Sequence, residues 1–123
     1  MLKKLFALIL GSVMALPTAS VMASERADTA WQLIESGALI VDVRTPAEFA
    51  QGHLENAINI PLNTVENGFN HIAKDRSIVV YCRSGNRSGI AMQSLEKQGY
   101  INIHNGGGLS EMQQAQLNLA PLN

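Results

Sequence analysis

Two stretches of this chain, Leu39-Ile40-Val41-Asp42-Val43 and Ser77-Ile78-Val79-Val80-Tyr81, are short, β-branched and apolar almost without a break. A strand wet on one face alternates apolar and polar residues, whereas a continuous apolar run fits a strand covered on both faces. No hairpin signal joins either strand to its neighbours, and the segments between them carry helical patterns. That alternation argues for βαβ crossovers. The expected fold class is α/β: a small, mainly parallel sheet of four to five strands with helices on both faces. At 123 residues the chain has room for one such domain and not for two.

Local signals place the other elements. Residues 24–36 read as a helix, with Ser24 and Asp28 as candidate caps, Trp31 in the core and Gly37 as the stop. Thr45-Pro46-Ala47-Glu48 is a capping box that opens a short helix. Ala57-Ile58-Asn59-Ile60-Pro61 reads as a strand ended by proline. Residues 62–73 read as partly helical, interrupted by Asn67-Gly68. A helix is expected over 86–98, with Ile90, Ala91 and Leu95 on one face and Gly99 just past its end. Tyr100-Ile101-Asn102-Ile103 follows as a fourth strand, residues 105–108 as a loop and 109–117 as a terminal helix.

The first 23 residues have a different character. Lys3 and Lys4 precede an apolar run from Leu5 to Leu16, and Val21-Met22-Ala23 supplies short residues after Pro17. This is the pattern of a secretory leader. The run is shorter than the stretch of about 20 residues that a spanning helix needs. Residues 1–23 are therefore expected to be a leader cleaved after Ala23. Residues 24–123 would then form one periplasmic domain with no stable membrane association. Nine basic and ten acidic residues become seven and ten when Lys3 and Lys4 leave, a balance of −3. Such a chain offers no nucleic-acid surface.

Cys82 is the one cysteine, so no internal disulfide can form. A buried strand delivers it to the carboxyl end of the sheet, where open α/β sheets place ligand crevices. The polar, glycine-containing turn after it leads into a helix. Such a turn can aim successive backbone N–H groups inward at the positive end of the helix dipole. With Arg83 and Arg87 beside it, that setting favours thiolate over thiol and suits a small anion next to the sulfur. Cys-x5-Arg phosphatases carry arginine six positions after the cysteine, but here that position is Ser88 and Arg87 stands at five. The tighter ring suits attack on a sulfane sulfur. Asp42 and Arg44 share one face at the end of the first strand, either orienting the loop or forming a structural ion pair. His53, His71 and His104 lack metal-ligand spacing, and residues 106–108 lack a nucleotide-binding pattern. No metal or organic cofactor is expected.

Three ordered motifs then carry a resemblance. Asp42-Val43-Arg44 with Glu48, Gly52-His53-Leu54 and Ala57–Pro61 form the first. Cys82-Arg83-Ser84-Gly85-Asn86-Arg87-Ser88 forms the second, and Gly99-Tyr100 with Asn105-Gly106-Gly107 the third. Together they resemble the single-domain rhodanese-like sulfurtransferases from about Leu39 to Gly108. One departure is Leu109 and Met112, where that family often has an aromatic residue. The resemblance implies a thiosulfate sulfurtransferase that moves a sulfane sulfur to cyanide or a thiol through a Cys82 persulfide. Arg83, Ser84, Gly85, Asn86, Arg87 and Ser88 would bind substrate, with Asp42 and Arg44 in support. It also implies a small anionic donor, a thiophilic acceptor and a monomer. The alternatives are a non-enzymatic persulfide carrier and, on the same architecture, a cysteine-loop phosphatase or arsenate reductase.

Overall fold

The computed structural model describes residues 18–119, with side chains from Glu25 onward. In chain order the elements are α1 (Thr18–Glu35), β1 (Leu39–Asp42), α2 (Pro46–Gln51) and β2 (Ile58–Asn59). A 3-10 turn (Leu62–Thr64) leads into α3 (Val65–Gly68), followed by β3 (Ile78–Cys82), α4 (Asn86–Lys97), β4 (Ile103–Gly108) and α5 (Leu109–Leu119). The four strands form one parallel sheet in the order β2-β1-β3-β4.

Alternate residues of the two apolar strands feed two separate cores. Val41, Val43, Ile78, Val80 and Cys82 pack with Phe69, Ala91, Leu95 and Tyr100 beneath α3 and α4. Ile40, Val79 and Tyr81 pack on the other face against Ala27, Ala30, Met112 and Ala115 of α1 and α5. Burial of each large apolar side chain contributes about 1.5–3 kcal/mol, which is why runs with no polar gap are needed. The alanines let α1 and α5 lie close to the sheet.

The helix ends follow their local chemistry. Gly37 stops α1 at φ +107, with its N–H on the Ile34 carbonyl and the Ala38 N–H on Leu33. Gly99 does the same for α4 at φ +102, through Glu96 and Leu95. Thr45 caps α2 in a complete capping box with Glu48.

Several expectations need correction. Helix α1 begins at Thr18, so Ser24 and Asp28 are interior rather than caps; no glycine or proline interrupts residues 18–36. The leader falls on residues 1–23, of which 1–17 lie outside the described residues. Trp31 is only partly buried and donates its indole N–H to the Met112 carbonyl. Strand β2 shrinks to two residues. On α4 the buried stripe is Ser88, Ala91 and Leu95, at helical spacing of three and four, while Ile90 lies off it and is exposed.

The fourth strand is the largest revision. Residues 100–102 are not strand: Tyr100 is a buried core residue whose hydroxyl donates to the Phe69 carbonyl, and Ile101 is exposed. The strand instead runs through the glycines that read as a loop. Glycine has weak strand propensity, but here close packing demands it. A Cβ on Gly106 would lie 2.7 Å from Met112 Sδ, and one on Gly108 would collide with the Arg83 carbonyl. The register shifts between Val80 and Tyr81, so Asn105 pairs with Val80 and Gly108 with Cys82. The bulge falls just after Asn105, whose side chain reaches the edge of the cysteine loop.

Candidate active site

Cys82 ends β3, and Asn86 begins α4 four residues beyond it. Gly85 closes the turn in the left-handed region at φ +99. A Cβ there would also strike the Arg26 guanidinium, so both conformation and space call for glycine. The turn wraps its donors around one atom. The Gly85 N–H reaches Cys82 Sγ at 3.0 Å, and the Ser88 N–H and hydroxyl each lie 3.4 Å away. Burial pushes the thiol up, but the Ser88 hydroxyl and the N–H groups of Ser88, Ser84 and Gly85 outweigh it and hold it below its ordinary value.

The arginines are arranged differently from one another. Arg87 is clamped by Glu48, with Nη1 on Oε1 at 2.7 Å and Nη2 on Oε2 at 3.0 Å. That clamp, with the Thr45 N–H, holds the Glu48 carboxyl down at about 2. Arg83 extends into solvent, its Nε 3.8 Å from Glu48. Two guanidinium groups thus share one carboxylate, leaving the loop a net positive charge. Arg87 also lines a cavity of about 340 Å³ with Val43, Pro46, Pro61 and Leu62. Asn86 is exposed at the mouth of the loop, as are Arg83 and Ser84.

Asp42 and Arg44 are brought together, but on the opposite face from Cys82. Arg44 Nη2 lies 2.7 Å from Asp42 Oδ2, its Nε bonds both carboxylate oxygens, and Nη2 also reaches the Gly52 carbonyl. The Arg44 guanidinium stands 5.9 Å from the Tyr81 ring centroid. Burial pushes the Tyr81 phenol well up, and its oxygen accepts the Leu54 N–H. This pair braces the end of β1 against α2. Leu109 and Met112, at the family's aromatic position, pack into the α1–α5 core. His53 is a turn residue stacked on Phe49 and bonded to its carbonyl.

Three further residues support the loop that the sequence did not assign to the site, although Asn105 stands in the third motif. Arg26 of α1 donates to the Ser84 carbonyl and is gripped by Glu111 of α5 through two 2.8 Å bonds. Glu111 also accepts the Gly108 N–H. Asn105 of β4 bonds both the Gly85 carbonyl and the Ser88 hydroxyl. The sequence signs for this support are the Asn105-Gly106-Gly107 motif and Ser88, a polar residue in the buried stripe of α4.

Comparison with known proteins agrees with this geometry. A rhodanese-like domain model matches residues 26–115. A sulfurtransferase of Allochromatium vinosum is 46% identical over 67 residues, covering 54% of this chain and 63% of the relative. Thiosulfate sulfurtransferase PspE of Escherichia coli strain K12 is 38% identical over 74 residues, covering 58% and 71%. A solved structure described as a rhodanese with anions from E. coli superposes with a TM-score of 0.57 at 36% identity, covering 61% of this chain and 91% of that one. The chain belongs to the rhodanese-like family, whose named relatives here are sulfurtransferases.

Proposed function

We propose that this protein takes the outer sulfur of thiosulfate onto Cys82 and passes it to cyanide or a small thiol. The Cys82 thiolate attacks the sulfane sulfur. Sulfite leaves with the electrons of the broken S–S bond, and a Cys82 persulfide anion remains. The acceptor then attacks the outer sulfur and restores the thiolate; with cyanide the product is thiocyanate. Charge and atoms balance in both half-reactions without a cofactor, and the kinetics are ping-pong. The observation that carries this reading is the cluster of donors around Sγ, which suits sulfur as an anion both before and after it gains a second sulfur. The loop's net positive charge supports an anionic donor, as does the E. coli rhodanese solved with anions.

A steady-state thiosulfate:cyanide assay tests the proposal. Thiocyanate should form with parallel double-reciprocal lines and vanish in Cys82→Ser; turnover that survives this substitution would refute it.

The leader pattern of residues 1–23 supports a periplasmic home after cleavage following Ala23. Fractionation with N-terminal sequencing would find Ser24 first; an uncleaved chain in the cytoplasm contradicts this. The exposed large apolar residues are scattered, with Ile58 on β2, Ile90 on α4, Ile101 in a loop and Leu117 and Leu119 on α5, which supports a monomer, to be checked by light scattering.

A further inference from the structure

Ser88 presents one hydroxyl proton to two acceptors. Its Oγ lies 2.8 Å from Asn105 Oδ1 and 3.4 Å from Cys82 Sγ, and a serine hydroxyl donates one hydrogen bond at a time. Ser88 is fully buried, so the proton goes to one or the other. Asn105 is itself fixed. Its Oδ1 accepts the Gly107 N–H at 3.0 Å, and its Nδ2 donates to the Gly85 carbonyl at 3.1 Å. Those bonds settle which end of the amide faces Ser88. They also mean that Oδ1 stays paired when the hydroxyl turns away.

Resting on the sulfurtransferase reading above, we infer that Asn105 is a positioning residue acting on the sulfur through Ser88: it holds the hydroxyl proton while Cys82 is a neutral thiol and yields it to the sulfur once the thiolate or persulfide forms. In the neutral state the thiol proton faces a lone pair on Ser88 Oγ, and the Ser88 O–H points to Asn105. When the thiol proton leaves to a solvent base, the hydroxyl rotates about its Cβ–Oγ bond. The bond to Oδ1 breaks and one to Sγ forms, with the hydroxyl keeping its own proton. The ring thus offers one donor fewer to the thiol than to the anion, without a change of charge.

The charged groups around the loop are Arg83 and Arg87 from the turn and α4, Glu48 from α2, Arg26 from α1 and Glu111 from α5. His104 of β4 bonds the Arg26 carbonyl, and the Asp42–Arg44 pair of β1 lies across the sheet. Substituting Asn105 by alanine leaves all of these charges in place.

The test titrates Cys82 by the pH dependence of its alkylation with iodoacetamide. No sulfur donor is present, so the outcome is separate from that of the thiosulfate assay. Asn105→Ala removes the competing acceptor and leaves the hydroxyl to the sulfur. The midpoint should fall by about half to one pH unit, and should not move when Ser88→Ala is already present. A midpoint that stays put or rises, or a shift equal in both backgrounds, overturns the proposal. If Asn105→Ala does not fold, Asn105→Asp keeps the size and the acceptor. Its carboxylate holds the hydroxyl more strongly, so the midpoint should rise more with Ser88 present than with Ser88→Ala. An equal rise is the mark of charge alone and overturns it. Failure here with thiocyanate formation intact removes only the role of Asn105; absence of turnover in the native protein removes the sulfurtransferase reading.

Discussion

Two polar sites are buried at the carboxyl ends of neighbouring strands, and they solve the same electrostatic problem in opposite ways. At the end of β1, Asp42 is closed by Arg44 through side-chain bonds between 2.7 and 3.1 Å. Its charge is neutralised inside the protein. At the end of β3, Cys82 faces donors alone: the Gly85 N–H, the Ser88 N–H and the Ser88 hydroxyl. Here the protein supplies partial positive charge and no counter-ion on the sulfur. A closed pair stabilises the fold, whereas an array of donors stabilises a negative charge that appears during reaction. On the proposed function, the same end of the sheet holds a brace and a reaction centre.

The sharpest way to break this comparison is Cys82→Ser. The contrast predicts loss of turnover to background with unfolding free energy within about 1.5 kcal/mol of native, because the serine oxygen can accept the Gly85 and Ser88 N–H groups in place of sulfur. Chemical denaturation beside the thiocyanate assay checks both; a collapsed fold would make Cys82 structural too.

Asp42→Asn should do the reverse. It leaves the buried Arg44 guanidinium without its carboxylate, and loss of one partner of such a pair costs about 3–5 kcal/mol. The Cys82 titration midpoint should barely move. A stable variant with a displaced midpoint would join the two sites into one.

Arg87→Ala comes next. Removing one of the loop's two cations should raise the thiosulfate KM about tenfold, the equivalent of roughly 1.4 kcal/mol for a charge-assisted contact, with smaller change in kcat. An unchanged KM would take Arg87 out of donor binding.

The smallest effect belongs to Glu48→Gln. Glu48 lies at about 2 in the folded chain, below the ordinary carboxylate range, so its stabilisation is present at neutral pH and lost as pH falls toward about 2. The side chain is partly exposed, so the loss at neutral pH should be at most about 1 kcal/mol. Native and variant unfolding curves should converge in acid. A gap that persists at low pH would assign the effect to the capping box of α2 instead.

What the sequence disclosed divides along a similar line. The apolar runs of β1 and β3, the Thr45–Glu48 capping box and the stops at Gly37 and Gly99 depend on residues a few positions apart, and each was legible. The cysteine turn was legible for the same reason, since donors and sulfur lie within seven residues. Strand β4 was not. Its glycines lack strand propensity, and only the approach of Met112 and the Arg83 carbonyl reveals why they are there. Arg26 and Glu111 meet across 85 positions, and Asn105 meets Ser88 across 17. No local pattern encodes such partnerships. Ile90 lies off the buried stripe because its spacing from Ala91 and Leu95 does not match the face set by Ser88.

In the proposed function the turn from Cys82 to Ser88 holds sulfur as an anion. Thiolate ultraviolet absorbance of the native protein as a function of pH tests it most directly. The structure predicts a midpoint below that of an ordinary cysteine, because the Ser88 hydroxyl and the loop N–H groups outweigh burial. A midpoint at or above that value would show a thiol raised by burial with no compensating donors, and would contradict the account.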